Sequence, residues 1–344
     1  MLRAITYTLV VSIFVVLTIT ATFLAFVTFT TEKIDENIKL ATYSNQDKEL
    51  NAKETLTITT FNIGYGGLSR DQDYFVEGDD RGPTKKKTLK ALEGITNFLK
   101  DVESDIILLQ EVDTRAMRSF DIDQYSYLKE SLVDYGSVFA YNYKTAWTID
   151  PATRPHGHIE SGIATFSRLK LMESYRKQLP DDEKWPKRLF EMDRCIIKSK
   201  IPVKGNKNLY ILNIHLSAHD EDNDKRLAEL RYIQEKIKNI MAEDNYIIVG
   251  GDWNQILSTA DLEDLPLEQW PKWVVQIPDD FLKGGFKWAV DHDTPTVRVG
   301  DEYYNTIVDG FLVSSNIEVL SIEGHDLNFE KSDHNPVTVK ISLH

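Results

Sequence analysis

Residues Tyr246–Asn254 read Tyr-Ile-Ile-Val-Gly-Gly-Asp-Trp-Asn. A short run of Ile and Val suits a strand buried on both faces. Two glycines end the run, and a carboxylate (Asp252) and an amide (Asn254) follow at once. The arrangement recurs along the chain. Leu56–Phe61 runs into Asn62, Ile106–Gln110 into Glu111, Leu209–Ile214 into His215, and Ile307–Val308 into Asp309. The last apolar run, Val337–Leu343, is preceded by Ser332-Asp333-His334-Asn335-Pro336. The runs Leu56–Phe61, Asp105–Leu109, Ile163–Phe166, Leu209–Ile214, Tyr246–Val249, Ile307–Val313 and Val337–Leu343 are the expected strands. Helical patterns lie between them. Leu89, Leu92, Ile95, Leu99 and Val102 recur at steps of three and four, and Leu227, Leu230, Ile233, Ile237, Ile240 and Met241 share one face. This alternation predicts an α/β body with both faces of its sheets covered. No Pro/Gly-rich linker, repeat or low-complexity block divides residues 55–344, so they are expected to form one domain.

The chain of 344 residues is 42% hydrophobic, but that content is unevenly spread. Ala4–Thr31 holds no charged residue. A bilayer core needs about 20 apolar residues as a helix, so this stretch can span. A cleaved signal is the competing reading, but its apolar region is shorter, about 7–15 residues. Arg3 and the amino terminus precede the span, and Glu32, Lys33, Asp35 and Glu36 follow it. That bias favours an inside amino end and a body outside the cytoplasm. Residues 1–31 are therefore expected to anchor the protein, with 4–31 meeting the membrane, and the polar residues 32–54 to act as a tether. The net charge of −14 argues against a broad basic groove. The one cysteine, Cys195, excludes a disulfide scaffold and a Cys-rich zinc site.

In α/β sheets, ligands bind where strands end and loops converge. Here that place would gather four carboxylates: Glu111, Asp252, Asp309 and Asp333. Without a cation they would repel, and some would take up protons. An all-oxygen set suits Mg²⁺, Mn²⁺ or Ca²⁺ rather than zinc. His215, His334, Asn62 and Asn254 add hydrogen-bond donors suited to phosphoryl oxygens. The set fits metal-assisted hydrolysis of a phosphate ester.

Six segments also carry a family resemblance. Thr60-Phe61-Asn62, Leu109-Gln110-Glu111-Val112-Asp113, Asn213-Ile214-His215-Leu216, Gly250-Gly251-Asp252-Trp253-Asn254, Val308-Asp309-Gly310 and Ser332-Asp333-His334-Asn335-Pro336 resemble the endonuclease/exonuclease/phosphatase superfamily. Its members include deoxyribonuclease I, AP endonucleases, inositol polyphosphate 5-phosphatases and neutral sphingomyelinases. The resemblance implies a four-layer α/β sandwich, two mixed sheets face to face with helices outside. It also implies residue roles. Glu111 matches the principal metal ligand, Asn62 an amide assisting metal or phosphate, and Asp333 a second metal-site carboxylate. Asp252 matches the residue that orients the attacking water, and Asn254 a phosphate donor. His215 matches the histidine of the deoxyribonuclease I and sphingomyelinase branches. Asp309 and His334 resemble a coupled acid–base pair.

Other positions are open to two readings. His156, His158 and Glu160 either border the pocket, with Glu160 supporting His215, or form a solvated loop. Arg115 and Arg118 either reach substrate phosphate or form surface ion pairs. Lys85, Lys86 and Lys87 meet an anion or simply solvate a helix's first turn. The aromatics of Leu265–Trp288 (Trp270, Trp273, Phe281, Phe286 and Trp288) either rim the site or form a satellite core. The expected activity is a phosphodiesterase on nucleic acid or a phospholipid, working as a monomer. A phosphomonoesterase on inositol or sugar phosphates is the alternative, and a binding protein with an inactive cleft the alternative of another class.

Overall fold

Side chains of a strand point alternately to its two faces, so strand parity decides which residues meet. The computed structural model describes the chain except residues 1, 52, 73–81, 206, 219–222, 258–274, 279–280, 283–284 and 300–303. Among the described residues the strands form two large mixed sheets. One is built from β2 (Thr55–Asn62), β3 (Ile106–Ala116), β4 (Gly136–Thr148), β5 (Gly157–Ser167), β14 (Ile317–Gly324) and β15 (Val337–Leu343). Its order is β14-β15-β2-β3-β5-β4. The other is built from β1 (Asn37–Lys39), β6 (Glu173–Gln178), β7 (Cys195–Val203), β8 (Lys207–His215), β9 (Tyr246–Asp252), β10 (Phe286–Ala289) and β13 (Asp309–Ser314). Its order is β1-β6-β7-β8-β9-β13-β10. A small hairpin, β11 (Val297–Val299) with β12 (Tyr304–Thr306), belongs to neither sheet and is bridged to His334 through Val297.

Each large sheet contains one parallel pair, β2 with β3 and β8 with β9. A parallel pair needs a crossover, and a helix supplies it. Helix α2 (Lys85–Asp101) joins the first pair and α4 (Asp224–Met241) the second. The core divides accordingly. Leu56, Ile58, Ile106 and Leu108 meet Leu209, Ile211, Ile248 and Phe311 between the sheets. Phe61, Ile107 and Leu109 point the other way, to Leu92, Ile95 and Leu99 of α2 and to Leu128 of α3 (Gln124–Ser131). Leu212, Ile247 and Val249 face Leu230, Ile233 and Ile237 of α4. Four layers result, and the expected strands all appear. The apolar-run reading does not find β4, β6, β7 or β14, nor the short β1, β10, β11 and β12. Glu173–Gln178 reads Glu-Ser-Tyr-Arg-Lys-Gln, and nothing in its own composition marks a strand. Pairing with β1 and β7 does so.

Helix α1 (Leu2–Thr30) covers the apolar amino end. The stretch expected as a tether is instead tied into the body. Residues 37–39 form edge strand β1 on β6. Leu40 and Leu50 are buried in the core between the sheets. Backbone bonds run from Leu40 N to Ser174 O (2.8 Å) and from Tyr43 N to Ser137 O (2.8 Å). Two leucines in a polar stretch are enough to pin it, because the neighbouring sheet edges offer unpaired backbone groups.

Candidate functional site

The faces that make the inter-sheet core also make the site. Following the inward parity of β2, β8 and β9 past the last apolar residue leads to Asn62, His215 and Asp252. Asp309 starts β13 directly opposite Asp252, and His215 lies opposite Asp252 on the other side. The core ends beneath them in a polar bridge between the sheets. Gln110 Nε2 donates to Asn213 Oδ1 at 2.8 Å, and Asn213 Nδ2 donates to Ala164 O at 2.8 Å.

Parity alone would turn Glu111 away, toward α2. A bulge corrects this: the register of β3 against β5 shifts between Leu109 and Val112. Glu111 itself adopts φ +54°, a left-handed conformation uncommon for a residue with a Cβ. Its carboxylate accepts from Asn62 Nδ2 at 3.2 Å. Asn254 also has positive φ, +48°. Its backbone N–H donates to Asp252 Oδ1 at 2.9 Å, and its Nδ2 to Leu216 O at 2.8 Å.

Asp252 stands at the centre and is 1% exposed. Its Oδ2 accepts from Asn62 Nδ2 at 3.0 Å and lies 3.5 Å from His215 Nε2 and 3.8 Å from His334 Nε2. His334 Nδ1 lies 2.8 Å from Asp309 Oδ2. Thr296 Oγ1 accepts from the backbone N–H of Val308 and Asp309 and so fixes the strand start carrying Asp309. Asp333 is reached by Ser332 Oγ at 3.2 Å, and Ser332 Oγ also donates to Asn62 O at 2.8 Å. The loop of Ser332–His334 is thereby stitched to the end of β2.

Burial and like charge act together on these groups. Burial, then the neighbouring Asp309, raises the Asp252 carboxyl to about 6. Burial raises Asp333 to about 7, with Glu111 adding to the shift and His334 opposing it. Burial works against a charge on His334, but Asp309 and Asp252 outweigh it and hold the ring well above its usual value. His215 is pushed well below its usual value by burial, with Arg194 adding to the effect. The two imidazoles are thus pushed in opposite directions: the surroundings of His334 favour its charged form and those of His215 its neutral form.

The structure brings together Asn62, Glu111, His215, Asp252, Asn254, Asp309, Asp333 and His334. It separates several neighbours. Glu160 pairs with Arg115 (Nε to Oε1 2.8 Å) rather than with His215, and His158 lies 2.6 Å from Asp121. Arg118 is a buried ion pair rather than a surface one. It reaches both oxygens of Asp113 and stacks 3.8 Å above the Tyr65 ring. Thr84 caps α2, its Oγ1 accepting from the backbone N–H of Lys87. Trp270 and Trp273 lie outside the described residues, while Phe281 and Trp288 pack around Trp253, with ring centroids 6.3 and 4.8 Å away. Sequence reasoning misses Tyr65, whose buried hydroxyl has no partner among the described residues. It also misses Glu229, a buried carboxylate on α4 that accepts from Ser217 N and Oγ and holds the loop after His215. A Tyr between glycines and a Glu inside an amphipathic helix carry no local signal of such roles.

The sequence pattern of the Endonuclease/Exonuclease/phosphatase family matches residues 59–334. No curated protein is similar enough in sequence to match. Solved structures are similar at low identity. An endonuclease/exonuclease/phosphatase from Beutenbergia cavernae has 16% identity and a TM-score of 0.60, covering 84% of this chain and 72% of that one. A family protein from Leptotrichia buccalis has 16% identity and a TM-score of 0.57, covering 84% and 100%. D. rerio TDP2 complexed with single strand DNA product has 16% identity and a TM-score of 0.54, covering 84% and 99%. At such identities the likeness is one of fold.

Proposed function

We infer, since this chain belongs to the endonuclease/exonuclease/phosphatase family and is a hydrolase of phosphate ester bonds, that it is a divalent-metal-dependent phosphodiesterase. One observation carries the reading: a buried carboxylate, Asp252, within 3.8 Å of two histidines and bonded to Asn62.

The donor set fits a hard cation. Glu111 adds to the cost of ionising the buried Asp333, and Asp309 Oδ1 is buried without a partner among the described residues. Asp252, Asp309 and His334 place ligand atoms within 4.8 Å of one another, but His334 and Asp309 are already committed to each other. Glu111 and Asp333, with the amide of Asn62, are therefore the residues that would hold Mg²⁺, Mn²⁺ or Ca²⁺. As oriented, Asn62 turns its NH₂ to Glu111 and its Oδ1 to Gly64 N at 3.1 Å, so ligation by its oxygen requires the amide to turn. A bound divalent cation supplies positive charge to the phosphoryl oxygens.

The chain's own residues do the rest. Asp252 Oδ2 accepts a hydrogen bond from the attacking water and aims it at phosphorus. Asp309 holds the His334 ring by Nδ1, which fixes its orientation and keeps it charged beside Asp252. His215 presents a donor to the phosphoryl oxygens and to the leaving oxygen, and Asn254, whose Nδ2 donates to Leu216 O and Asp252 Oδ2, joins it by exchanging one of those bonds. Nucleic acid and phospholipid are the substrate classes considered, the first also because TDP2 is known in complex with single strand DNA product. The docking of the end of α1 on the body, with Val27 fully buried, favours a retained anchor over a cleaved leader.

The test is turnover of bis-p-nitrophenyl phosphate by the purified full chain with Mg²⁺ and with chelator, alongside Asp252→Ala and His334→Ala. Hydrolysis that needs the cation and both side chains is the expected result. Cation-independent hydrolysis, or none, would overturn the reading.

A further inference from the structure

The apolar helix and the catalytic cleft lie at the same end of the sandwich. Residues 3–22 of α1 are exposed, and contact with the body begins at Phe23. The Phe23 ring stacks on Phe190, centroids 6.1 Å apart and 5° from parallel. Trp185 Nε1 donates to Thr28 Oγ1 at 3.1 Å. Ala146 N donates to Thr31 Oγ1 at 3.0 Å, and Lys144 Nζ lies 2.6 Å from Glu32 Oε2. Asp35 O accepts from the fully buried Arg176 at 2.8 Å, which ties down the exit of the chain.

Register places every one of these contacts. Residues 179–194 link the end of β6 to the start of β7, where Ile196 faces Ile214, next to His215. Arg194 from that link donates to His215 O at 3.2 Å. Lys144 lies opposite Glu160, and Glu160 opposite Arg115, just beyond Glu111. Two strand spacings, about 10 Å, separate the row touched by α1 from the strand carrying Glu111. Ala4 to Phe23 suffices to cross a bilayer core of about 30 Å at about 1.5 Å per residue. The turns after Phe23 then lie at the lipid–water boundary, where Trp185 (62% exposed) and Ile149 (57% exposed) stand on the same rim. Aromatic side chains with one polar edge favour that boundary.

We propose that α1 holds the mouth of the cleft against the bilayer surface, and that the phosphodiesters it reaches are headgroup phosphates of lipids in that membrane. This rests on the phosphodiesterase reading above. In the reaction a water oxygen bonds to phosphorus and one P–O ester bond breaks. The departing oxygen takes a proton from that water, leaving a phosphomonoester and an alcohol.

The test uses the full chain reconstituted in phosphatidylcholine–phosphatidylglycerol vesicles. Cys195 is buried, so a fluorophore can be placed singly at Ile149→Cys on the rim or Val133→Cys before the opposite end of β4. Quenching by spin-labelled lipid is expected at 149 and not at 133. Equal quenching at both would overturn the orientation, whatever the activity. Trp185→Ala with Phe190→Ala, which unhooks the helix, should lower hydrolysis of vesicle lipid at least about tenfold and leave bis-p-nitrophenyl phosphate hydrolysis unchanged. Cleavage of single-stranded DNA but not vesicle lipid, or equal losses on both probes, would overturn the inference and spare the phosphodiesterase reading. Failure to cleave any diester would overturn both.

Discussion

Gly64 tests the site more sharply than any charged residue, because its replacement adds one methyl group and no charge. It follows Asn62 by two residues and adopts φ +49°. A Cβ there would stand 2.7 Å from Asp333 Oδ1 and 2.9 Å from Ser332 Oγ. Neither neighbour can yield freely. Ser332 Oγ donates to Asn62 O at 2.8 Å and accepts from His334 N at 3.2 Å. Gly64→Ala should therefore cost about 1–2 kcal/mol for the left-handed backbone. A lost or lengthened hydrogen bond at Ser332 adds about 0.5–1.5 kcal/mol. The sum is about 1.5–3.5 kcal/mol. Gly66→Ala is the control: φ is +60°, but its Cβ would find nothing nearer than 3.4 Å. It should cost the backbone term alone. Urea unfolding of both variants gives the stability difference, and Mg²⁺ titration of phosphodiester hydrolysis gives the displacement of Asp333. We expect Gly64→Ala to be the less stable and to need markedly more Mg²⁺, and Gly66→Ala to keep native Mg²⁺ dependence. Indistinguishable variants would refute the placement of the Ser332–His334 loop over the end of β2.

In chelator, Asp252 (raised to about 6) and Asp333 (raised to about 7) favour the protonated folded state, so their contribution is full below about pH 4 and lost as pH rises to about 7. Thermal midpoints should show that fall, which Asp333→Asn should flatten and saturating Mg²⁺ should reverse. Asp309→Asn removes the group that keeps the His334 ring charged; the ring's titration by NMR should move down, and turnover should drop by about 10³–10⁴. Arg176→Ala strips fixed donors from Tyr141 O, Asp35 O and Asp193 O inside the protein. It should destabilise by about 3–5 kcal/mol in urea unfolding and open Lys33 to trypsin.

The site was legible in the sequence to an unusual depth because most of its members stand at or near the end of a strand. Apolar runs mark strands, and the polar residues that end the inward parity mark the place where core gives way to cleft. Asn62, His215, Asp252 and Asp309 follow that rule. Glu111 breaks it, since only the bulge in β3 turns it inward, and a bulge has no signature in the run Ile-Leu-Leu-Gln-Glu. The edge strand β4, and β6 beside the short edge strand β1, were not legible, because half-exposed strands carry polar and aromatic residues. Residues 32–54 misled for a related reason: their composition is that of a linker, and two leucines and a row of backbone bonds hold them.

Composition and pattern by themselves determined the α/β class, the apolar amino-terminal helix and the set of polar residues at strand ends, since all three depend on local periodicity. Tertiary structure alone decided which of those residues touch, which imidazole's surroundings favour its charged form, and that the helix docks at the cleft end. Those depend on how sheets stack and on how deeply a charge is buried, and both are set by contacts between residues far apart in the chain.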